Sequence, residues 1–346
     1  MADKGNKEEI RDFATGMKAI QKDFGKGSIY RLGDNDKIDC EFISLDSLKL
    51  TRIMGGGIPR GKIMEVFGWE SSGKTALCSY IVGQAQKQGL LCAYIDAENS
   101  FQPKYAKVMG VDIDNLLFSQ PDNGEQGFAI VDSLVDNIPN LGVIVIDSIA
   151  TMTPQREIDG EMGDAVMGLQ ARLVGQAMRK LVKKLNNKQV TLICVNQIRQ
   201  KIGVMYGSPD TTPGGNALPF YASIRLKVRK KEDILEGTKL LGIRMVVKAV
   251  KNKVACPMKE DMLDLLFDSG FDPFLETIDF GITYGLVDKS GAWYTIATGE
   301  RFKGKNGLIE HYKQFPNELE TLRAEVLAKI DSTKDEIDKG EEEDES

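Results

Sequence analysis

The residues best suited to chemistry lie between Lys62 and Thr75, in KIMEVFGWESSGKT. Gly68, Trp69, Glu70, Ser71, Ser72, Gly73, Lys74 and Thr75 fit the pattern G-x-x-x-x-G-K-[ST]. In such a loop the backbone N–H groups turn toward an anion, and the helix that follows adds its positive N-terminal end. Lys74 would reach the outer phosphates of ATP and serve catalysis as well as binding. The Thr75 hydroxyl would ligate Mg²⁺. A chance match in an ordinary turn arises in roughly 1 chain in 100 of this length, and the apolar run Ile63, Met64, Val66, Phe67 just before it makes that reading weaker still. Two carboxylates complete the set: Asp147 as a second Mg²⁺ ligand, and Glu98 as the base that orients or deprotonates the attacking water. Gln197 brings a neutral amide, able to sense a γ-phosphate without competing for the metal. Tyr105 is a candidate to stack on adenine, an exposed turn tyrosine being the alternative.

These residues need a scaffold that gathers them, and the sequence supplies one. Leu90–Asp96, Leu141–Asp147 and Val190–Gln197 are short apolar runs ending in polar residues. Helical patterns separate them; Leu169, Leu173, Ala177, Leu181 and Leu185 mark a helix from about 165 to 187. The alternation predicts an α/β fold, a mostly parallel sheet with helices on both faces. Functional groups of such sheets collect at the carboxyl ends of the strands. The phosphate loop and all three polar strand ends are therefore expected at one edge.

Two further segments lack periodicity and are long for simple connections. One is Glu157–Met167. The other, Ile198–Gly215, holds four glycines and two prolines. Arg199, Lys201, Met205 and Tyr206 suit phosphates and unstacked bases. Arg172 and Arg179, on the helix between the two segments, either extend that surface or form a solvated face. Ile10, Phe13, Met17, Ile20 and Phe24 form one face of a helix over 6–24. Its periodicity fits packing on its own domain or on a neighbouring subunit, with its own domain favoured.

Composition narrows the function classes. The 346 residues are 42% hydrophobic and 28% charged, ordinary for a globular protein. No run reaches membrane-spanning length, and MADKGNKEE has no apolar signal region, so a cytoplasmic location without membrane partners is expected. Five scattered cysteines read as free thiols, and a single histidine argues against zinc and against histidine-based catalysis. The net charge of −6 is set by residues 331–346, whose nine acids and two lysines give −7 and leave the remaining 330 residues at +1. This acidic run is expected to be disordered. It serves either solubility or competition with nucleic acid for a basic surface.

GWESSGKT, YIDAEN, DNLLFSQPDNGEQ, VIVIDS, MGLQAR, QAMRKL, VNQIRQKIGVMYG, GGNALPFYAS and VKNKVACP together resemble the bacterial RecA recombinase family, over nearly the whole chain from FGKGSIYRLG to GAWY. The resemblance implies a P-loop ATPase core with an N-terminal helical arm and a small C-terminal α/β domain. It implies a helical filament of subunits on single-stranded DNA, driven by ATP, that pairs and exchanges homologous strands in repair and the SOS response. By it, 157–167 and 198–213 are the two DNA-binding loops. Gln197 is the switch between the γ-phosphate and the second loop, and Lys251 and Lys253 reach ATP held by the neighbour. The helix at 6–24 becomes the arm that packs on that neighbour, against the preference from periodicity. The implied division is 1–36 arm, 37–270 core, 271–330 a domain gathering double-stranded DNA through lysines such as Lys303 and Lys305, and 331–346 tail. A LexA-type repressor is a further implied partner. Trp69, Asn99 and Gln102 depart from the usual proline, histidine and aspartate, and Pro219 replaces a lysine beside the interface residue Phe220. Such drift suits a phage-encoded or divergent bacterial copy. Two rivals remain: a ring motor on the same fold, disfavoured by the arm and paired loops, and a filament without turnover, disfavoured by Lys74, Thr75, Glu98 and Asp147.

Overall fold

A computed structural model describes residues 2–26, 28–31, 40–161, 168–200 and 210–343. The chain forms two compact units, Met1–Glu41 and Phe42–Ser346. In the first, helix α1 (Ala2–Phe24) covers the predicted 6–24 and begins four residues earlier. Arg31 lies over the Phe13 ring at 4.6 Å, and Gln21 Nε2 donates to the Ile29 carbonyl at 2.8 Å. Phe13, Ile20 and Phe24, on the apolar face, are exposed.

The second unit is built on an eight-stranded sheet. Its strands are β1 (Ile63–Gly68), β2 (Leu91–Asp96), β3 (Leu116–Ser119), β4 (Leu141–Asp147), β5 (Thr191–Gln197), β6 (Ile224–Glu236), β7 (Lys239–Asn252) and β8 (Glu260–Leu266). Their spatial order is β8-β7-β6-β1-β5-β4-β2-β3. The pairs from β6 to β3 are parallel, and β6–β7 and β7–β8 are antiparallel. The expected mostly parallel sheet is thus present. Both faces of its centre are covered, which is why these strands are continuous apolar runs rather than alternating ones. On one face α3 (Lys74–Lys87) buries Leu77, Ile81 and Val82. On the other, α4 (Gly124–Asn137) buries Phe128, Val131 and Val135, and α5 (Leu169–Lys188) buries Val174, Ala177, Met178, Leu181 and Leu185. Leu169 and Leu173, placed in the predicted every-fourth stripe, are only half-buried. A 3.6-residue turn drifts from a strict four-residue period, and Val174 and Met178 take the inner face instead.

Beyond β8 a third cluster packs Ile278, Val287, Leu308, Val326 and Ile330 around Leu48 of α2 (Leu48–Met54). It comprises α6 (Pro273–Thr283), a three-stranded antiparallel sheet, α7 (Gly304–Gln314) and α8 (Pro316–Glu343). Glu276 of α6, buried, accepts from Ser47 Oγ at 2.8 Å and Lys49 N at 3.2 Å, joining this cluster to the α2 N-terminus. Where disorder was expected from 331 onward, α8 continues through Glu343. Glu and Lys are good helix formers, and Lys334 and Lys339 lie among the acids, so an established helix is cheap to extend. Residues 344–346 lie outside the described residues. Cys78, Cys92 and Cys194 are buried free thiols, as expected, whereas Cys256 is exposed.

Candidate active site

The loop after β1 is shaped by glycines with no room for a side chain. A Cβ on Gly68 would lie 2.1 Å from the Val228 carbonyl oxygen, and one on Gly73 2.9 Å from Met245 Sδ. Gly73 also has φ 96°, the left-handed turn that lets α3 start at Lys74. Lys74 Nζ donates to the Trp69 carbonyl at 2.7 Å. Burial lowers the Lys74 pKa, and Asp147 and Glu98 nearby oppose that shift. The Ser72 hydroxyl is buried and has no hydrogen-bond partner among the described residues, a donor held in the loop interior.

The three polar strand ends meet this loop, as the sheet topology requires. Asp147 Oδ2 accepts from Thr75 Oγ1 at 2.8 Å and from the Tyr94 hydroxyl at 2.7 Å. Burial raises the Asp147 pKa, while the Tyr94 and Thr75 hydrogen bonds act in the opposite sense. Glu98 is held from two sides. Ser148 Oγ donates to its Oε1, and Gln197 Nε2 donates to the same oxygen at 3.1 Å. The backbone N–H groups of Ala97 and Glu98 both point to the Asp147 carbonyl, at 2.8 and 3.3 Å. Asp96, a polar strand end beside them, has a holding part. It accepts from Ser100 N, Phe101 N and Gln120 Nε2, and so fixes the turn that carries Glu98. The arrangement brings together a phosphate cradle, a hydroxyl–carboxylate pair for a hard divalent cation and a restrained carboxylate for proton abstraction.

A cavity of about 440 Å³ adjoins the loop. Ser71, Ser72, Gly73, Lys74 and Thr75 form one wall, with Tyr105, Lys230, Asp233, Leu240 and Phe267 opposite. Trp69 and Glu70 are exposed at the loop's outer turn. Tyr105 is half-buried at the predicted adenine position; Gln102 lines an adjoining cavity with Tyr105 and Phe267. Lys251 and Lys253 line neither cavity. Lys251 Nζ donates to the Pro219 and Phe220 carbonyls at 2.7 and 2.9 Å, and Lys253 Nζ lies 5.9 Å from the exposed Phe220 ring. Burial and the charges of Lys253 and Arg225 lower the Lys251 pKa.

Arg172 and Arg179 are exposed on α5, and Arg199 is exposed where residues 199–200 pair with Asp210–Thr211 in a two-stranded ribbon. Lys201, Met205 and Tyr206 lie outside the described residues, as do 162–167 and 201–209. Sequence reasoning missed Tyr94 and Ser148, and missed Lys230, Asp233 and Phe267. The tyrosine sits in a buried apolar run, where it reads as core. The other cavity residues belong to the antiparallel strands or their ends, distant in sequence from the loop they face. No helix among the described residues is long and apolar enough to cross a membrane.

Known proteins match this sequence. The profile of the RecA N-terminal domain family matches residues 11–272. The chain is 47% identical over 313 residues to protein RecA of Levilactobacillus brevis, covering 90% of this chain and 83% of that one. It is 46% identical over 317 residues to protein RecA of Thermus aquaticus, covering 91% and 93%.

Proposed function

Because the chain belongs to the RecA family, it is a DNA-dependent ATPase and homologous recombinase of DNA repair and the SOS response, and we propose that its turnover runs through Lys74, Thr75, Asp147, Glu98 and Gln197. The observation that carries this is the convergence of the three strand ends on the phosphate loop, linked by Thr75–Asp147 and Gln197–Glu98 hydrogen bonds.

ATP would lie with its phosphates on residues 68–75 and its base against Tyr105, in the cavity that residues 71–75 and Tyr105 line together. Lys74 places its charge at the outer phosphates. Thr75 and Asp147 fit Mg²⁺, since hydroxyl and carboxylate oxygens are the donors it prefers and it is commonly held by one or two protein groups plus phosphate. When bound, Mg²⁺ neutralises charge developing on the phosphates. Tyr94 keeps Asp147 aimed at Thr75. Ser148 and Gln197 occupy Oε1 of Glu98, and among the described residues no donor reaches Oε2. Oε2 therefore takes the proton as water attacks the γ-phosphorus and the bond to the β-phosphate oxygen breaks. Gln197 retains a second N–H for the γ-phosphate. Residue 198 begins the second expected DNA loop, so the same amide joins nucleotide to DNA.

The finer assignments extend this reading. The segments 157–167 and 198–213 bind single-stranded DNA. Residues 1–36 form the arm that packs on a neighbouring subunit in the filament. Lys251 and Lys253 complete the neighbour's site, a reading supported by their absence from the lining of this chain's own cavity and their place beside exposed Phe220. Residues 271–330 gather double-stranded DNA, a LexA-type repressor is a partner, and the location is cytoplasmic.

Glu98→Gln tests the proposal. It should retain ATP affinity and slow DNA-dependent hydrolysis by ~10²-fold or more, the scale of lost general-base work. Lys74→Ala should weaken ATP binding itself. Undiminished hydrolysis in the first variant, or normal ATP affinity in the second, would overturn the assignment.

A further inference from the structure

Gln197 is one of two hydrogen-bond donors on Glu98 Oε1, and the second donor, Ser148, leads elsewhere. Ser148 is fully buried and opens a single 3-10 turn, Ile149–Thr151, whose Thr151 Oγ1 donates back to the Ser148 carbonyl at 2.9 Å. That turn is gripped from outside by Gln170, in the first turn of α5. Gln170 Nε2 donates to the Ile149 carbonyl at 2.9 Å and the Ala150 carbonyl at 3.1 Å. Helix α5 begins directly after the segment read as the first DNA loop. The C-terminal stem of the second loop reaches the same place. A Cβ on Gly214 would lie 3.1 Å from the Ile149 side chain, and one on Gly215 2.8 Å from Ala171 Cβ, both with positive φ. Backbone this close leaves no slack, so a shift of either stem must move the turn or clash with it.

From this geometry we infer that the Ile149–Thr151 turn joins both loop stems to the catalytic carboxylate through Ser148, a second line of coupling in parallel with Gln197. Ser148 and Gln170 are positioning residues in this account, acting on the reaction through Glu98. The inference rests on the reading of 157–167 and 198–213 as DNA loops. Two donors on one oxygen make the arrangement an AND condition. Gln197 reports nucleotide and the start of the second loop, while Ser148 reports the end of both loops. Glu98 Oε2 is correctly aimed only when both hold.

The experiment measures steady-state ATP hydrolysis with and without a saturating single-stranded oligonucleotide, for wild type, Ser148→Ala, Gln170→Met and Gln170→Glu. Methionine keeps the length of Gln170 without its donors, and glutamate turns a donor into a charge facing two carbonyls. The DNA-stimulated kcat should fall by about tenfold in each variant, the order expected for losing one hydrogen bond to the Glu98 carboxylate at Ser148, or two weaker bonds to neutral carbonyls at Gln170. In the two Gln170 variants, DNA-free hydrolysis, the KM for ATP and the melting temperature should stay near wild type, whereas Ser148→Ala, which removes a donor from Glu98 itself, should slow hydrolysis with and without DNA. A purely structural role would lower the melting temperature and both rates together, and full stimulation in all three variants would equally overturn the inference. The Gln170 variants protect the test against misfolding of the buried Ser148→Ala. Oligonucleotide affinity of Arg172→Ala and Arg199→Ala separates the two levels. If these bind normally, the loop reading fails. If they bind weakly while the Gln170 variants keep full stimulation, the junction fails and the loop reading stands.

Discussion

Arg225→Ala probes the polar chain beneath the site. Glu65 lies in the middle of β1 with no exposed surface. Arg225 Nε on the adjacent strand β6 stands 2.5 Å from its Oε2, and Asn196 Nδ2 on β5 donates to its Oε1 at 3.1 Å. The guanidinium also lies over the Phe67 ring at 4.7 Å. Replacing Arg225 by alanine leaves a carboxylate with one neutral partner in a site closed to solvent. An uncompensated buried charge of this kind costs about 3–5 kcal/mol. At roughly 2 °C per kcal/mol for a large domain, the melting midpoint should drop by on the order of 6–10 °C. Removing both charges in Glu65→Gln/Arg225→Met should recover most of the loss, because an ion pair in the interior often contributes little net stability over a neutral replacement. Circular dichroism melts at low protein concentration, without nucleotide, would measure this with little contribution from assembly. A midpoint within 2 °C of wild type for Arg225→Ala would refute the burial argument. The same polar chain reaches the segment proposed as the second DNA loop, since Asn196 Nδ2 also donates to the Pro213 carbonyl at 3.1 Å.

Glu276 gives a pH prediction. Burial raises its pKa above the ordinary 4.5, so the folded state binds this proton more tightly than the unfolded chain. Its contribution is full below the ordinary value and is lost as pH rises through the raised one. Glu276→Gln keeps an acceptor for Ser47 and Lys49 without the charge, so its melting temperature relative to wild type should increase from pH 4 to pH 7; a flat or falling difference contradicts the assignment. Glu276→Ala should instead destabilise by about 1–3 kcal/mol in denaturant titration, having left the buried Ser47 hydroxyl and the half-buried Lys49 N–H without that acceptor; no loss would contradict their need for it. Deleting residues 331–346 should strengthen double-stranded DNA binding, most at low salt, if the acidic run shields a basic surface. Equal affinity at low and high salt would leave the run a role in solubility alone.

The positions of Thr75, Asp147, Glu98 and Gln197 were legible because each follows an apolar strand, and parallel topology sends such ends to one edge. Ser148 was hidden because one hydroxyl after a strand looks like any turn residue; its role appears only when Glu98, fifty residues earlier, is folded beside it. Tyr94 was hidden by burial, since a tyrosine in LCAYID satisfies apolar packing and hydrogen bonding at once. Strands β6, β7 and β8 escaped because Lys, Arg and Glu at their exposed positions break the continuous apolar signal of the central strands. Lys230, Asp233 and Phe267 went with them, and so did one wall of the nucleotide cavity. The acidic end was read from charge alone, which does not register that α8 is already nucleated on Leu322, Val326 and Ile330.

The central claim is that one amide links nucleotide to DNA, and single-stranded DNA titration of wild type and Gln197→Ala, each with ATP and with ADP, tests it most directly. Gln197 Nε2 holds Glu98, and the segment proposed as the second DNA loop begins at the next residue. One or two such bonds offer ~1–3 kcal/mol of coupling, roughly 5- to 150-fold in affinity. Wild type should bind DNA more tightly with ATP than with ADP by a factor in that range. Gln197→Ala should bind ATP nearly normally and show similar DNA affinity in both nucleotides; a variant that keeps the full preference for ATP would contradict the account.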